Sequence, residues 1–485
     1  MSILNATHNS QAADDSVAVI ELKTVFAEQQ RAFAADRYPS LEVRRERIEK
    51  IIGMLVSNRE RIHQALMSDF GNHPKGASDL IEMLGIVGRV QYVLDHLEEW
   101  MQPQPREIDS AALGNARAFI RQEPKGVVGN IVPWNFPIDI SIGPLAEMLA
   151  AGNRVIIKPS EYAPACAKLV AEMVAATFDR NLVHVVVGGL ELSREFSATP
   201  WDHLLYTGSP NVGRQVMAAA AKNLTPVTLE LGGKCPALLT PGSVTAQNVE
   251  SVIGTKVIKN GQMCVSVDYV MVPRGDVPAF IAQARGFLDR SAPHYSKSSE
   301  CTGIISERHM ARISDMLKEA EARQVSIVAL EDDPQIDLTT RRMPISLVID
   351  PPADLRLMQE EIFGPIMPVL PYDDLDDAIA HINAGERPLG LYVFGDDEAL
   401  TASVLQQTSS GGAAVNTCAL QSGLPSLAFG GSGNSGMGRH HGVEGFREFS
   451  NPRGIVVRGD QGDHIDAFYA PYSKASAMVD AALGG

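Results

Sequence analysis

The stretch HLLYTGSPNVGRQVMAAAAKNLTPVTLELGGK, residues 203–234, decides the fold class of this chain. It begins with an apolar run, His203–Tyr206, which predicts a strand. The alanine-rich segment Asn211–Asn223 predicts a helix, and Val227–Leu231 predicts a second strand. A strand, a helix and a strand in immediate succession favour a parallel sheet with helices on its faces.

The same alternation continues on both sides of this stretch. Before it we predict the strands Val127–Val132, Arg154–Ile157 and Val183–Val187 and the helices Ala163–Phe178 and Glu191–Ser197. After Gly232–Gly233, which we take as the joint, a second alternating set predicts a second α/β domain. Its clearest members are the helices Ala246–Asn260, Val277–Arg290 and Asp374–Ala384 and the strands Asp268–Val272, Ile345–Asp350, Ile366–Leu370 and Leu391–Phe394. The predicted fold class is α/β, with two doubly wound domains.

The flanking segments follow other patterns. Residues 17–100 predict helices throughout, because apolar residues such as Ile48, Ile51 and Leu55 recur at helical spacing. Two isolated β-prone runs, Ala112–Gln122 and Ile455–Arg458, could pair with each other or with a second subunit.

Composition excludes several classes of function. The chain has 485 residues, with 42 Lys and Arg against 58 Asp and Glu, so its formal net charge is −16. Such a chain is not expected to bind nucleic acid or an anionic membrane surface. No run reaches about 18 consecutive apolar residues, so no spanning helix is expected. The polar start Met1–Val17 lacks the pattern of a signal peptide, which favours a cytoplasmic protein.

The five cysteines are an odd number without CxxC spacing, which argues against a disulfide framework or a structural zinc site. The adjacent His440 and His441 point different ways and do not make a metal site by themselves, so we expect no metal. Cys264 is predicted on a turn just after a helix that ends at Asn260–Gly261, where a nucleophile would be accessible. Inert packing is the alternative, and Cys235 is the nearest rival as a reactive thiol.

Three other polar positions follow predicted strands. Glu230 ends an apolar strand, where burial would make it a general base; an exposed strand-end charge is the alternative. Asn135, in the turn Pro133–Pro137, could donate to an oxyanion or belong to a structural proline turn. Lys158–Glu161 could hold ribose hydroxyls at a strand end or form a solvated turn.

Two glycine-containing turns are candidates for phosphate binding. Tyr206–Gly213 follows a strand and opens a helix, so its Gly208 and Ser209 could bind an anion, or Ser209 could be an ordinary N-cap. Gly431–Gly436 has the spacing GxGxxG, but no predicted strand precedes it and no helix follows. We therefore expect a flexible loop there rather than a pyrophosphate site.

Taken together and in order, these motifs closely resemble the aldehyde dehydrogenase superfamily. The matching pieces are PWNFP at 133–137, KPSE at 158–161, TGS at 207–209, ELGGK at 230–234, GQMC at 261–264, EIFGP at 361–365 and FGG from Phe429. The resemblance implies a Rossmann-type cofactor domain, a catalytic domain and a small β oligomerisation element. It also implies limits for these parts. The cofactor domain would comprise its helical part at 15–111, its sheet at 123–232 and a return of the chain at 427–451. The catalytic domain would be 233–426, the β element 112–122 with 452–460, and the C-terminal tail 461–485.

The resemblance also implies roles for single residues. Cys264 would be the nucleophile that forms a thiohemiacetal and then a thioester, Asn135 would hold the oxyanion, and Glu230 would activate water to hydrolyse the thioester. The implied cofactor-binding residues are Trp134, Lys158, Ser160, Glu161, Gly208, Ser209, Leu231, Glu361 and Phe363. Glu161 could accept a ribose hydroxyl and would repel a 2′-phosphate, so NAD is favoured and NADP stays open. The expected partners are a small aldehyde and a second copy of the chain in a homodimer.

Within the superfamily the chain is similar to the class 3 branch, through Gly436–Gly438, His441–Gly442, Gly445–Phe446 and the tail Phe468–Ser473. His440 stands where a tyrosine is common, and Ser432 where a valine is common. The run Ala218–Gly233 is similar to bacterial coniferyl aldehyde dehydrogenases, which implies an aromatic aldehyde. Long-chain and benzaldehyde enzymes share most of these motifs and are the alternatives. A cysteine esterase or acyl-transfer enzyme is a further alternative, but it would need no cofactor motifs. A non-catalytic relative is another, but it would lack the nucleophile, the base or the oxyanion amide.

Overall fold

The computed structural model describes residues 2–461 and 469–484, with side chains for all of these except residues 2–14, 111 and 112. Part of the expected tail 461–485, including Phe468 of its motif, therefore lies outside the described residues. Among the described residues, no helix is long and apolar enough to cross a membrane.

The helices and strands alternate over most of the chain, as predicted. In chain order the strands are β1 Gln104–Arg106, β2 Arg117–Pro124, β3 Val127–Ile131, β4 Arg154–Lys158, β5 Val183–Val185, β6 His203–Gly208, β7 Val227–Leu231, β8 Pro236–Leu239, β9 Tyr269–Pro273, β10 Ser326–Ala329, β11 Ser346–Ile349, β12 Ile366–Tyr372, β13 Gly390–Phe394, β14 Gly412–Val415, β15 Gly436–Met437 and β16 Ser450–Val457. The helices are α1 Ser2–Ala35, α2 Leu41–Phe70, α3 Lys75–Asp79, α4 Gly85–Trp100, α5 Ser110–Leu113, α6 Asp139–Ile142, α7 Leu145–Ala150, α8 Pro164–Thr177, α9 Leu190–Ala198, α10 Pro210–Ala221, α11 Ala246–Val257, α12 Val277–Ser291, α13 Glu307–Ala322, α14 Arg356–Gln359, α15 Leu375–Ala384, α16 Glu398–Gln407, α17 Gly442–Glu448 and α18 Ser473–Leu483. A π-helical turn, Leu80–Leu84, joins α3 to α4, and a 3₁₀ turn, Ile258–Gly261, follows α11.

Among the described residues, the strands form three sheets, which confirms the predicted fold class. The first has the order β15-β7-β6-β3-β4-β5 and is parallel except where β15 pairs with β7. The second has the order β10-β11-β12-β9-β8-β13-β14 and is parallel except where β10 pairs with β11. The third, β1-β2-β16, is antiparallel throughout. The two isolated β-prone runs therefore pair with each other.

The strands β3 and β4 of the first sheet and β8 and β13 of the second are buried along their whole length, as expected for parallel strands covered on both faces. The helix α2 packs on α8 over the first sheet and buries Ile48, Ile51 and Leu55 completely. Each such side chain contributes about 1.5–3 kcal/mol through burial. These packed layers hold the carboxyl ends of β4, β6 and β7 in fixed positions, which is where ligands bind in open α/β sheets.

Four local predictions are wrong in an informative way. The helix expected to end at Asn260 ends at Val257, because Lys259 and Asn260 adopt positive φ angles of 49° and 54°. The β run from Ala112 starts as a helical turn, so its strand begins only at Arg117. The strand predicted at Ile455–Arg458 begins earlier, at Ser450. The glycine loop 431–436 is not free, because Gly436 pairs with Glu230 on the edge of the first sheet.

Candidate active site

A single cavity of about 790 Å³ collects most of the predicted site residues. It is lined by the three candidate catalytic residues and by six of the expected cofactor contacts: Cys264, Glu230, Asn135, Trp134, Gly208, Ser209, Leu231, Glu361 and Phe363. Lys158, Ser160 and Glu161 do not line it; they lie at and just after the end of β4, in the same sheet as the cavity-lining Gly208 and Glu230.

Cys264 lies in the loop between the 3₁₀ turn and β9, half-buried in the cavity wall. The loop is fixed by Gln262, a fully buried side chain that donates to the carbonyls of Lys259 (2.9 Å) and Gly303 (3.0 Å) and accepts from the backbone N–H of Ile305 (3.0 Å). Because its side-chain nitrogen and oxygen all bond to main-chain groups, Gln262 holds the Cys264 loop against the segment that contains Gly303 and Ile305.

The thiol of Cys264 is held in its neutral form. Burial, and then the carboxylates of Glu361 and Glu230, raise its pKa to about 12. Cys235, the rival thiol, is wholly buried, donates to the carbonyl of Cys264 at 3.3 Å, and its pKa is raised well above the usual range, mainly by burial. Cys264 faces the cavity and Cys235 supports its backbone, so Cys264 is the better candidate nucleophile.

Asn135 is 4% exposed and belongs to the turn after β3, as predicted. Its side-chain amide donates to the carbonyl of Gln262 at 3.2 Å, which ties it to the Cys264 loop. Its own carbonyl accepts from the ammonium of Lys259. An amide carries two N–H donors, so one remains for an oxygen that develops negative charge beside Cys264.

A buried ion pair stands behind Asn135. Lys259 and Glu82 are both wholly buried and bonded to each other, and the ammonium also lies 4.3 Å from the ring centre of Phe136. Glu82 accepts in addition from the backbone N–H groups of Ile138 (3.1 Å) and Asp139 (2.9 Å). The pair therefore connects the π-helical turn, the Asn135 turn and the Cys264 loop.

Glu230 lies in β7 and is 3% exposed, so the alternative of an exposed strand-end charge is wrong. The glycine loop encloses it: Gly436 pairs with it across the sheet edge, and a Cβ added at Gly430 would approach its Oε1 to 2.9 Å. Among the described residues, neither carboxylate oxygen of Glu230 has a hydrogen-bond partner. Burial, opposed by Arg439, raises the pKa of Glu230 well above its usual value, as a general base near neutral pH requires.

A second polar group adjoins Glu230 from other parts of the chain. His440 Nε2 lies 3.8 Å from Glu230 Oε1. The guanidinium of Arg89, on α4, donates to His440 Nδ1 at 3.1 Å and forms a buried ion pair with Glu147 at 2.7 Å. His440 and Arg89 also line the cavity.

The predicted dinucleotide contacts form a suitable cradle. Ser209 caps α10 by accepting from the N–H of Val212 at 3.4 Å, which confirms the N-cap interpretation. It also lines the cavity with Gly208, so anion binding at this turn stays a prediction. A Cβ at Gly232 would come within 2.0 Å of Glu361 Oε2, so the backbone and this carboxylate touch at the cavity wall. The rings of Trp134 and Phe363 meet edge to face at 5.3 Å. A helix N-terminus, a carboxylate and an aromatic wall fit the phosphates, ribose and ring of a dinucleotide.

Two of the three remaining cofactor candidates, Lys158 and Glu161, form an ion pair at the carboxyl end of β4. Lys158 is 2% exposed and its ammonium donates to the more exposed Glu161 at 2.7 Å, so the solvated-turn alternative is wrong for the lysine.

Burial and Asp268 raise the pKa of Glu361 to about 8. Within the described residues, no cluster of three His, Cys, Asp or Glu side chains could hold a metal ion.

Sequence reasoning missed the residues that support the site. Glu82 and Arg89 lie far in sequence from Lys259 and from the predicted site residues, and no motif contains all three. His440 carried a signal, its departure from the tyrosine of similar chains, but no local pattern placed it beside Glu230.

Comparison with known proteins gives a family match over most of the chain. The model of the aldehyde dehydrogenase family matches residues 9–455. A probable coniferyl aldehyde dehydrogenase of Caulobacter vibrioides is 40% identical over 439 residues, with 90% of each chain covered, and a coniferyl aldehyde dehydrogenase of a Pseudomonas species is 37% identical over 438 residues, again with 90% of each covered. A dimeric NADP-preferring aldehyde dehydrogenase of Mus musculus is 33% identical over 449 residues, covering 92% of this chain and 96% of that one.

Solved structures are similar over nearly the whole chain. A substrate-bound AldH of Staphylococcus aureus superposes with a TM-score of 0.88 at 31% identity and covers 94% of this chain and 99% of its own. An aldehyde dehydrogenase of Mycobacterium tuberculosis complexed with NAD⁺ superposes with a TM-score of 0.81 at 26% identity, covering 92% and 91%.

The chain belongs to the aldehyde dehydrogenase family. It is an NAD(P)-dependent oxidoreductase that acts on an aldehyde, and the family uses NAD⁺ or NADP⁺.

Proposed function

We propose that this enzyme oxidises an aromatic aldehyde of the coniferyl aldehyde type to its carboxylic acid, through a thiohemiacetal and a thioester on Cys264. The observation that carries the proposal is the single cavity in which a thiol, an amide donor and a buried carboxylate meet the expected dinucleotide cradle. Hydrolysis without redox chemistry needs no such cradle, so the cavity disfavours an esterase or acyl-transfer enzyme.

The chemistry can be assigned step by step to the residues present. The Cys264 sulfur loses its proton to solvent and adds to the aldehyde carbon, while Asn135 and the Cys264 backbone N–H donate to the resulting oxyanion. A dinucleotide held by the cradle would supply the hydride acceptor. The oxyanion collapses with loss of the hydride from the same carbon, which leaves a thioester on Cys264. Glu230 then takes a proton from water, whose oxygen attacks the thioester carbon and releases the acid and the thiol.

The proposed cofactor contacts follow the cradle. Gly208 and Ser209 would face the pyrophosphate, Glu361 the nicotinamide ribose, and Trp134, Leu231 and Phe363 the nicotinamide side. Lys158, Ser160 and Glu161 would hold the adenosine ribose. Glu161 would accept from its 2′-hydroxyl and repel a 2′-phosphate, so we propose a preference for NAD⁺; use of NADP⁺ is the alternative.

The apolar part of the cavity wall supports an aromatic substrate. It includes the side chains of Leu80, Leu84, Ile140 and Pro144, and Gly88 contributes no side chain there. A Cβ added at Gly88 would meet no atom within 4 Å, so the wall leaves room for a flat ring. The names of the two bacterial relatives above support the same substrate class. Long-chain aldehydes and benzaldehyde are the alternatives.

The assembly proposed is a homodimer, supported by the murine relative described as dimeric. Residues 112–122 and 452–460 would contribute the oligomerisation element, since β2 and β16 form a small antiparallel sheet separate from the two large ones.

The test is reduced-cofactor formation by the purified protein with coniferyl aldehyde, benzaldehyde and a long-chain aldehyde, each with NAD⁺ or NADP⁺. We expect the highest kcat/KM with coniferyl aldehyde and NAD⁺, and loss of turnover in Cys264→Ala. Cys166→Ala, which removes a buried thiol from α8, is the matched control and should retain activity. Ester hydrolysis that ignores the cofactor, without aldehyde oxidation, would refute the proposal.

A further inference from the structure

The protonation of His440 follows from its neighbour Arg89. A guanidinium can only donate, so the 3.1 Å bond makes His440 Nδ1 an acceptor. Burial and the Arg89 charge hold the pKa of His440 well below its usual range, so the ring is neutral. A neutral imidazole that accepts at Nδ1 carries its proton on Nε2. The N–H of His440 therefore points toward Glu230, whose Oε1 is 3.8 Å from Nε2.

The ring itself is held firmly. His440 is 7% exposed and packs edge to face on Phe429 at 5.3 Å and on His441 at 4.6 Å. Its backbone N–H and carbonyl exchange two hydrogen bonds of 2.8 Å with Phe429. Arg89 is anchored in turn by its buried ion pair with Glu147. The donor at Nε2 is thus placed by tertiary structure and is not free to turn away.

We propose that His440 is a positioning residue for Glu230: its Nε2–H bonds to the carboxylate and holds it in the orientation from which it accepts a proton from the hydrolytic water. The inference rests on the proposed function of Glu230 as the base. The 3.8 Å separation closes to hydrogen-bond length by a small rotation of the Glu230 side chain, whose two oxygens are otherwise without partners among the described residues.

Other charged groups also influence the ionisation of Glu230. Arg439 and Arg89 favour its ionised form and Glu448 opposes it. The thiol of Cys264 interacts with it from the loop before β9. Arg439 donates through Nη1 to the carbonyls of Gly431 and Gly438, and Arg89 donates to Glu147 and His440. His440 adds a neutral N–H donor, 3.8 Å from Glu230 Oε1, beside the base.

The experiment removes and restores this donor. His440→Phe removes it, and His440→Gln keeps an N–H that can reach the carboxylate and an oxygen that can accept from Arg89. His381→Phe, which removes an imidazole packed on Tyr269, is the matched control. If the phenylalanine variant does not fold, His440→Met removes the same donor with a flexible side chain.

The first readout is the carboxyl stretch of Glu230 in an infrared pH titration, with Glu230→Gln identifying the band. A donor to a carboxylate favours the ionised form, so we expect its removal to move the titration midpoint up by about one pH unit, tenfold in the ionisation constant. His440→Gln should restore the midpoint and His381→Phe should not change it. An unchanged midpoint in His440→Phe or His440→Met overturns the proposal.

The second readout is kinetic. In His440→Phe the first-turnover burst of reduced cofactor should persist, while steady-state turnover on the acid limb of its pH profile falls about tenfold and that limb moves to higher pH. Equal loss of burst and steady state, without a shift of the limb, contradicts the proposal. Failure of the proposed function would appear differently, as turnover that survives Cys264→Ala, and the infrared titration needs no turnover at all.

Discussion

Replacing Lys259 by methionine tests how the oxyanion amide is held. The wholly buried ammonium bonds to Glu82 and to the carbonyl of Asn135, and it lies 5.0 Å and 4.3 Å from the ring centres of Phe70 and Phe136. Methionine fits between the two rings but leaves the carboxylate of Glu82 without its cation. Breaking a buried ion pair by removing one partner costs about 3–5 kcal/mol.

A second substitution separates the loss of stability from the loss of activity. Glu82→Gln removes the charge yet keeps an oxygen for the backbone N–H groups of Ile138 and Asp139. The double variant Lys259→Met/Glu82→Gln should therefore recover most of the lost free energy of unfolding. It should not recover activity, because the Asn135 carbonyl still lacks its donor. Since losing one oxyanion donor costs about 10²–10³ in kcat, a displaced Asn135 should cost a substantial part of that factor.

The assays are urea unfolding followed by tryptophan fluorescence and steady-state kinetics of aldehyde oxidation. Trp134 adjoins Asn135 in the cavity wall, so its emission reports on this turn directly. A single variant as stable as the unchanged protein, or a double variant less stable than the single, would show that the pair does not support the turn. Full kcat in either variant would refute the link to Asn135.

Three further outcomes follow from the cavity. Because burial raises the pKa of Glu230, the rate of thioester hydrolysis should increase with pH through that pKa. Glu230→Gln should lower steady-state turnover by about 10²–10⁴-fold, and mass spectrometry should detect acylated Cys264. An unacylated enzyme would contradict this expectation. Gly232→Ala should displace the Glu361 carboxylate and raise the KM for the dinucleotide, whereas Gly53→Ala, in open space on α2, should leave it unchanged. Gly88→Leu should lower kcat/KM for coniferyl aldehyde at least about tenfold while sparing acetaldehyde, and an equal loss for both would argue against the ring-binding wall.

The parts of the molecule set by local pattern were predictable. Glu230 and Gly208 could be placed at strand ends because apolar runs bounded by glycine specify strands and their limits. The end of α11 could not, since the positive φ angles at Lys259 and Asn260 arise from tertiary contacts. Lys259 turns inward to meet Glu82, whose position depends on a π-helical turn far away in sequence.

The candidate site divides in the same way. The nucleophile, the base and the amide each sit in a short motif whose chemistry is legible from residue types alone. The contacts of Arg89 with Glu147 and His440 join residues that are far apart in sequence, so no local motif predicts them. Sequence could thus propose the reacting groups, whereas the residues that adjoin them are found only in the fold.

The pairing of β15 with β7 has a consequence for the order in which the enzyme matures. Glu230 is synthesised near the middle of the chain, whereas Gly436 and His440, which close around it, emerge near the end. Since chains fold from the N-terminus as they leave the ribosome, the first sheet can form while its edge strand is still missing. A chain released after Cys264 but before Gly436 would contain the thiol, but Glu230 would lack the residues that close around it. With Glu230 as the proposed base, the enzyme would therefore acquire the capacity for hydrolysis last.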